Sequence, residues 1–108
     1  ISQLNDVLAV HFSDVALSLE QLAGYLHLTE RTLQNKTKAL FEMSPMDYVR
    51  EFRLEKAKVL LADTDMAIGV VAQSSGFNSQ SYFARCFKAT TGMSAKQYRN
   101  LQQQSVLN

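Results

Sequence analysis

Two stretches of the chain place polar or small side chains at the spacing of one helix face. In the first they lie at i, i+3, i+4 and i+7, as Arg31, Gln34, Asn35 and Lys38. In the second they lie at i, i+1, i+4, i+5 and i+8, as Gln80, Ser81, Ala84, Arg85 and Lys88. Arginine pairs with guanine O6 and N7, and Gln or Asn with adenine N6 and N7, in the DNA major groove. Each face could therefore read base edges, but either one alone is also what an ordinary solvated helix presents.

The charge of the chain is unevenly distributed, although the formal net charge is only +1. Residues 1–28 contain acids and no Lys or Arg, whereas residues 78–108 contain basic residues and no acid. A net charge near zero argues weakly against nucleic acid as a partner. Counterion release from DNA nevertheless requires only a local basic face, which the end of the chain provides.

Other chemistry has little support in the sequence. His11 and His27 lack partners at metal-ligand spacing, and the single Cys86 lies within an aromatic stripe, where it is interpreted as a core residue. No glycine-rich phosphate loop, nucleophile elbow or paired catalytic carboxylate is present. We therefore expect no catalytic residues, no metal and no cofactor.

The sequence also gives expectations about the setting of the chain. No apolar run is long enough to span a bilayer, and no signal peptide begins the chain, so no membrane is expected as a partner. A single cysteine favours a reducing cytoplasm as the location. Because the chain starts with Ile1 rather than Met, we expect it to be a fragment of a longer protein.

Capping residues and apolar spacing predict an all-α chain of about seven helices. The predicted caps are Ser18, Thr29, Ser44, Asp65 and Ser94. Asp65 is expected to begin a short helix from Met66 to Gln73. The strongest helix signal covers residues 45–62, and Pro45 occupies its first position, where a missing N–H costs nothing.

Apolar side chains behind the two polar faces are expected to be buried. In the first stretch these are Leu33, Thr37, Leu40 and Phe41, and in the second Tyr82, Phe83, Cys86 and Phe87.

The two stretches belong to an internal repeat. The matched pairs are Ala23 with Ala72, Leu28 with Phe77, Leu33 with Phe83, Lys38 with Lys88, Met43 with Met93, Ser44 with Ser94 and Tyr48 with Tyr98. This order of matches predicts a duplicated helix-turn-helix unit. We expect a single domain with a first helix-turn-helix subdomain at 1–44, a linker helix at 45–62 and a second subdomain at 63–108. The linker, roughly 27 Å long, could hold two recognition helices about one DNA turn apart.

Over roughly residues 12–99, the chain resembles the DNA-binding domain of the AraC/XylS family of bacterial transcription regulators. The segment "IGVVAQSSGFNSQSYFARCFKATTGMSAKQYR" is similar to the family signature, and "RLEKAKVLL" to its linker. The resemblance implies that the third and sixth helices enter adjacent major grooves. It implies base contacts from Arg31, Gln34, Asn35, Gln80, Ser81, Ala84 and Arg85. Phosphate contacts are expected from Lys38, Lys88 and the helix N-termini near Thr29 and Asn78.

Four positions depart from the family pattern. Asn35 stands where many members have Arg, Thr37 replaces a usual Phe, and Glu42 occupies a turn position where Gly is usual. The first two changes predict weaker affinity or packing in the first unit, and Glu42 predicts strain in its turn. Ala95 replaces the proline that Pro45 keeps in the first unit.

Two functions from different classes stay open on the sequence. The first is sequence-specific binding of double-stranded DNA as the output domain of a transcription regulator. The second is a helical protein-interaction module, for example one that docks on RNA polymerase, with weak or lost DNA binding. Family resemblance also implies RNA polymerase as a partner and an effector or sensor domain outside this fragment.

Overall fold

The computed structural model describes residues 2–107 and the side chains of residues 2–104. Its regular elements over that range are seven α-helices: α1 Ser2–His11, α2 Leu19–Tyr25, α3 Glu30–Phe41, α4 Pro45–Asp63, α5 Ile68–Ser74, α6 Gln80–Thr91 and α7 Ala95–Leu107. The predicted all-α class is confirmed. The spacing of Leu4, Leu8 and Phe12 predicts a first helix from residue 1 to residue 12, and residue 1 lies outside the described residues.

The chain divides into two compact units, Ile1–Phe52 and Arg53–Asn108, which we call the first and second units. Each contains a helix-turn-helix pair, α2 with α3 and α5 with α6. Four residues separate the helices of the first pair and five separate those of the second, since α3 starts at Glu30 and α6 at Gln80. The extra residue explains why matched residues of the repeat are 49 positions apart before the turn, as Leu28 and Phe77 are, and 50 positions apart after it, as Leu33 and Phe83 are.

The core of the first unit joins α1, the helix-turn-helix pair and the beginning of α4. Its buried members are Leu4, Leu8, Leu17, Leu22, Ala23, Leu33 and Val49. Tyr48 adds two specific contacts, because its hydroxyl donates to Asn5 Oδ1 at 2.7 Å and its ring stacks on Phe41 at 4.5 Å between centroids. These contacts fix the start of α4 against α1 and α3.

The core of the second unit is more aromatic. Its buried members are Leu54, Ala57, Leu61, Val71, Ala72, Phe77, Phe83, Phe87 and Ala95. The ring of Phe83 lies 5.1 Å from that of Phe77 and 5.6 Å from that of Phe87, which in turn meets Tyr98 edge-on at 5.5 Å. Such edge-on and tilted pairs add to the stabilisation from burial.

Most of the predicted caps are confirmed. Ser18 and Gln21 form a reciprocal capping box at α2, and Ser94 and Gln97 form a second one at α7. Thr29 Oγ1 accepts from the amide of Thr32 at the start of α3. Because its box is complete, α7 begins normally at Ala95, where the first unit has Pro45.

The predicted start of α5 is wrong. The helix begins at Ile68, and its cap position, Ala67, supplies no side-chain hydrogen bond. The polar groups before it have other partners, since Thr64 Oγ1 accepts from the Met66 amide and Asp65 Oδ1 accepts from Gln103 Nε2. Asp65 therefore binds α7 rather than capping α5, which its position in the sequence does not reveal.

One predicted core residue of the first unit is exposed. Leu40, expected on the buried side of α3, is 55% exposed, whereas Leu33 and Thr37 are buried and Phe41 is half-buried. Leu40 lies at the edge of a cavity beside Thr37, so no neighbouring element covers it.

Two turns of the first unit hold residues with side chains in the left-handed region of backbone conformation. Glu42 has φ +59° at the end of α3 and His27 has φ +56° between α2 and α3. At the matching places the second unit has Gly92 and Gly76, also with positive φ. Left-handed backbone costs about 1–2 kcal/mol for a residue with a Cβ and much less for glycine. The strain predicted at Glu42 is thus present in its geometry, and an acid at a helix C-terminus adds an unfavourable dipole interaction.

Exchange of the turn residues is a direct test of this strain. We expect Glu42→Gly to raise the free energy of unfolding by about 1 kcal/mol, because it removes both costs. Gly92→Ala should lower it by a similar amount through backbone strain alone, since no atom lies within 4 Å of the added Cβ. Urea unfolding followed by circular dichroism measures both. Loss of stability in Glu42→Gly would contradict this account.

Candidate nucleic-acid interface

The structure exposes the whole predicted face of α3. Arg31, Gln34, Asn35 and Lys38 are all exposed, and behind them Leu33 and Thr37 are only 2% and 1% exposed. The helix is therefore rotated with its apolar side inward and its Arg, Gln and Asn side chains in solvent. Thr32 and Thr29 share a hydroxyl hydrogen bond of 2.8 Å at its N-terminus.

The face of α6 is equally open. Its predicted contact residues, Gln80, Ser81, Ala84, Arg85 and Lys88, are all exposed. Phe83 and Phe87 on the inner side are both fully buried. Ser79 caps the helix by accepting from the Tyr82 amide at 3.1 Å. The small side chains of Ser81 and Ala84 leave room for a close approach along this face.

Tyr82 is not the buried residue that the aromatic stripe predicts. It is 39% exposed, and its ring lies 6.0 Å from that of Phe77. The guanidinium carbon of Arg85 stands 5.9 Å from the same ring, a cation–π distance. Tyr82 thus supports Arg85 on the exposed face. Their i, i+3 spacing on one helix is the signal that could have indicated this pair.

A second contact that the sequence did not indicate orients Gln80. A Cβ added to Gly69 of α5 would lie 2.8 Å from Gln80 Oε1 and 3.6 Å from its Cδ. The Gln80 side chain therefore lies directly against the α5 backbone, in space that only glycine leaves free. Gly69 has a structural role in placing this predicted base-contacting residue.

The two units differ strongly in charge. The first contains four basic and seven acidic residues, a net charge of −3, and the second contains seven basic and three acidic residues, a net charge of +4. Within the described residues, neither Arg85 nor Lys88 lies in an ion pair with an acid. The second unit therefore presents the stronger attraction to a polyanion.

Other sites find no support in the described part of the chain. No group of three or more His, Cys, Asp and Glu side chains is placed to hold a metal ion among these residues. His11 stacks on Tyr25 at 4.1 Å between ring centroids, so it takes part in packing. None of the helices described is long and apolar enough to cross a membrane.

Two compact units, each with a capped second helix that exposes a polar face, define a double helix-turn-helix protein. A model of a helix-turn-helix domain family matches residues 22–101. The chain belongs to this family, and its helix-turn-helix domain is of the AraC/XylS type.

Known proteins agree with this assignment. The chain is 31% identical over 104 residues to the melibiose operon regulatory protein of Escherichia coli, which covers 96% of this chain and 34% of that protein. It thus spans about a third of the length of this relative. The C-terminal domain of the two-component response regulator YesN from Fusobacterium nucleatum has a TM-score of 0.82 at 30% identity, covering 91% of this chain and 95% of that one.

A further solved structure is the DNA-binding domain of AdpA in complex with a target DNA. It has a TM-score of 0.83 at 24% identity and covers 95% of each chain. At this identity the likeness establishes the shared fold.

Substitution of Gly69 tests how Gln80 is held. We expect Gly69→Ala to turn the Gln80 side chain away from α5, because the added methyl occupies the position beside its Oε1. The domain should stay folded, since alanine favours a helix by roughly 0.5–1 kcal/mol over glycine. The side-chain amide signals of Gln80 in NMR spectra report the change. Gly24→Ala is the matched control, as its Cβ meets nothing within 4 Å; unchanged Gln80 signals in Gly69→Ala would refute the contact.

Proposed function

We propose that this chain binds double-stranded DNA sequence-specifically, as the output domain of a bacterial transcription regulator. The observation that carries the proposal is the α6 face, where five predicted contact residues are exposed on a helix whose opposite side is fully buried. The family membership and the AdpA domain solved on its target DNA support it. The α3 and α6 helices would lie in successive major grooves, as helix-turn-helix proteins place them.

The exposed residues divide by chemistry into two roles. Base contacts are assigned to Arg31, Gln34 and Asn35 on α3 and to Gln80, Ser81, Ala84 and Arg85 on α6, because these side chains match base edges or allow close approach. Phosphate contacts are assigned to Lys38 and Lys88, since a flexible ammonium group at the end of each face suits a backbone oxygen. With a net charge of +4, the second unit supplies most of the salt-dependent affinity.

The proposed role has consequences for the rest of the regulator. It needs no catalytic residue, metal or cofactor in this domain, and it places the domain in the cytoplasm, where bacterial DNA lies. The curated relative is about three times as long as the match, which leaves room for an effector or sensor domain outside this chain. RNA polymerase is the proposed protein partner at the promoter.

A second function is favoured by two observations. The net charge of −3 on the first unit opposes its approach to phosphates, and an exposed Leu40 on α3 suits an apolar partner. The alternative is therefore a protein-interaction module, docking for example on RNA polymerase, in which DNA binding is weak or lost.

A footprint over a salt series separates the two functions. DNA reading predicts protection of roughly two helical turns in the DNA upstream of the regulator's own gene. Affinity should fall steeply as salt rises, with a slope set by the phosphates contacted. No protected site at low salt would support the interaction module instead.

Two variants on α6 test the division of roles. Arg85→Ala should cost about 1–3 kcal/mol of binding free energy and relax the preference at one base pair. Lys88→Ala should weaken binding to all sequences alike and reduce the salt slope by about 1. Binding assays on a set of single-base operator variants measure both effects.

The control for these variants is Lys58→Ala. This substitution removes one positive charge from the same unit. The side chain of Lys58 lies on α4, where its Nζ pairs with Glu55 Oε1 at 2.9 Å. We expect it to change neither the base preference nor the salt slope appreciably. Equal, sequence-independent losses from Arg85→Ala and Lys88→Ala would refute the assigned roles.

A further inference from the structure

The first unit contains a cavity behind its second helix-turn-helix helix, α3. The cavity has a volume of about 130 Å³. Its lining residues come from α1, α3 and the turn before α3, and those the argument uses are Leu26, Leu28, Leu33, Thr37 and Phe41.

The cavity lies at a position where the two units differ in the size of a buried side chain. Thr37 corresponds to Phe87 in the repeat, and both are buried, at 1% and 0% exposure. In the second unit the Phe87 ring fills its place between Phe83 and Tyr98, at 5.6 and 5.5 Å. In the first unit the ring stands one turn later, at Phe41, which lines the cavity, and the smaller Thr37 leaves space beside it.

The chemistry of the walls defines what could enter. The buried and half-buried lining residues other than Thr37 are apolar. The only hydroxyl proton of Thr37 is already donated to the Gln34 carbonyl at 3.3 Å. The interior therefore offers no free donor to a charged acid, and it suits a neutral ring.

The cavity also has an entrance. Gln3, Lys36 and Leu40 line it and are exposed, so they form its rim on the solvent side. The cavity is open to solvent on this side, and only its volume is comparable with the enclosed apolar cavity of about 150 Å³ that binds benzene.

We infer that this cavity is a binding site for a neutral, one-ring aromatic molecule, whose ring lies in the space between Thr37, Leu33 and Phe41. The site belongs to the fold of the first unit, and it does not depend on the function proposed above. Binding would add stability to the packing behind the exposed face of α3.

Methyl NMR with benzene as the probe tests the inference. We expect saturable shifts of the Leu26, Leu28 and Leu33 methyl signals. Thr37→Phe should abolish these shifts or weaken binding at least about tenfold, because the added ring occupies the cavity. Benzoate at the same concentrations should bind at least about tenfold more weakly than benzene when both are tested on Lys36→Ala, because no buried group accepts its charge once the ammonium group on the rim is removed.

Two further variants keep the result decisive. Val10→Phe adds a ring at a position of α1 that is 72% exposed, outside the cavity lining, and should bind benzene as the unchanged chain does. If Thr37→Phe does not fold, Leu33→Phe fills the same cavity with the residue that the second unit has at Phe83. No saturable shift in the unchanged chain, equal binding of benzoate and benzene in Lys36→Ala, or full binding in the filled variant would each overturn the inference.

Discussion

The burial of one side of each recognition helix is the constraint on which the rest of the structure depends. Phe83 and Phe87 are both fully buried, and each contributes about 1.5–3 kcal/mol through loss of exposed apolar area. Because these rings lie one turn apart, they fix the rotation of α6 about its axis. Ser81, Ala84 and Arg85 then point to solvent as a consequence of packing on the opposite side.

The two copies of the repeat bury this side of the helix with the same two residue types, phenylalanine and threonine, in opposite order. In the second unit the aromatic ring comes from Phe87 and a threonine follows one turn later, at Thr91. In the first unit the order is reversed, with Thr37 first and Phe41 one turn later. Both rings reach the matching tyrosine, since Phe41 stacks on Tyr48 and Phe87 meets Tyr98. The contact with α4 or α7 is preserved, but the reversed order leaves the space beside Thr37 open.

Much of the fold follows from local sequence. Ser18 with Gln21 and Ser94 with Gln97 mark helix starts because a capping box involves only residues three apart. The exposed faces of α3 and α6 were predictable for a related reason, as helical periodicity separates polar from apolar positions. The repeat strengthened both predictions, because each unit supplied a second example.

The wrong predictions all concern contacts between residues distant in the sequence or at the edge of the core. Asp65 was expected to cap α5 but accepts from Gln103, which lies 38 residues later. Leu40 and Tyr82 have core-forming side chains, yet their exposure depends on which neighbours cover the end of each helix. The contact of Gln80 with Gly69 was not predicted at all, because it depends on how closely α5 and α6 approach, and no spacing within either helix encodes this distance.

The two units differ in net charge and in packing, and under the proposed function they would contribute differently to the affinity and the specificity of DNA binding. The first unit carries left-handed backbone at Glu42 and His27, an unfilled cavity and a net charge of −3, so alone it would bind a polyanion poorly. Covalent linkage changes this, because a contact made by the second of two linked units is intramolecular and not a separate binding event. Under the proposed function, base contacts from Arg31 and Gln34 would discriminate between sites once the basic second unit is bound. Affinity would then come mainly from the second unit. The first unit would add specificity without greatly slowing dissociation of the domain from a DNA site.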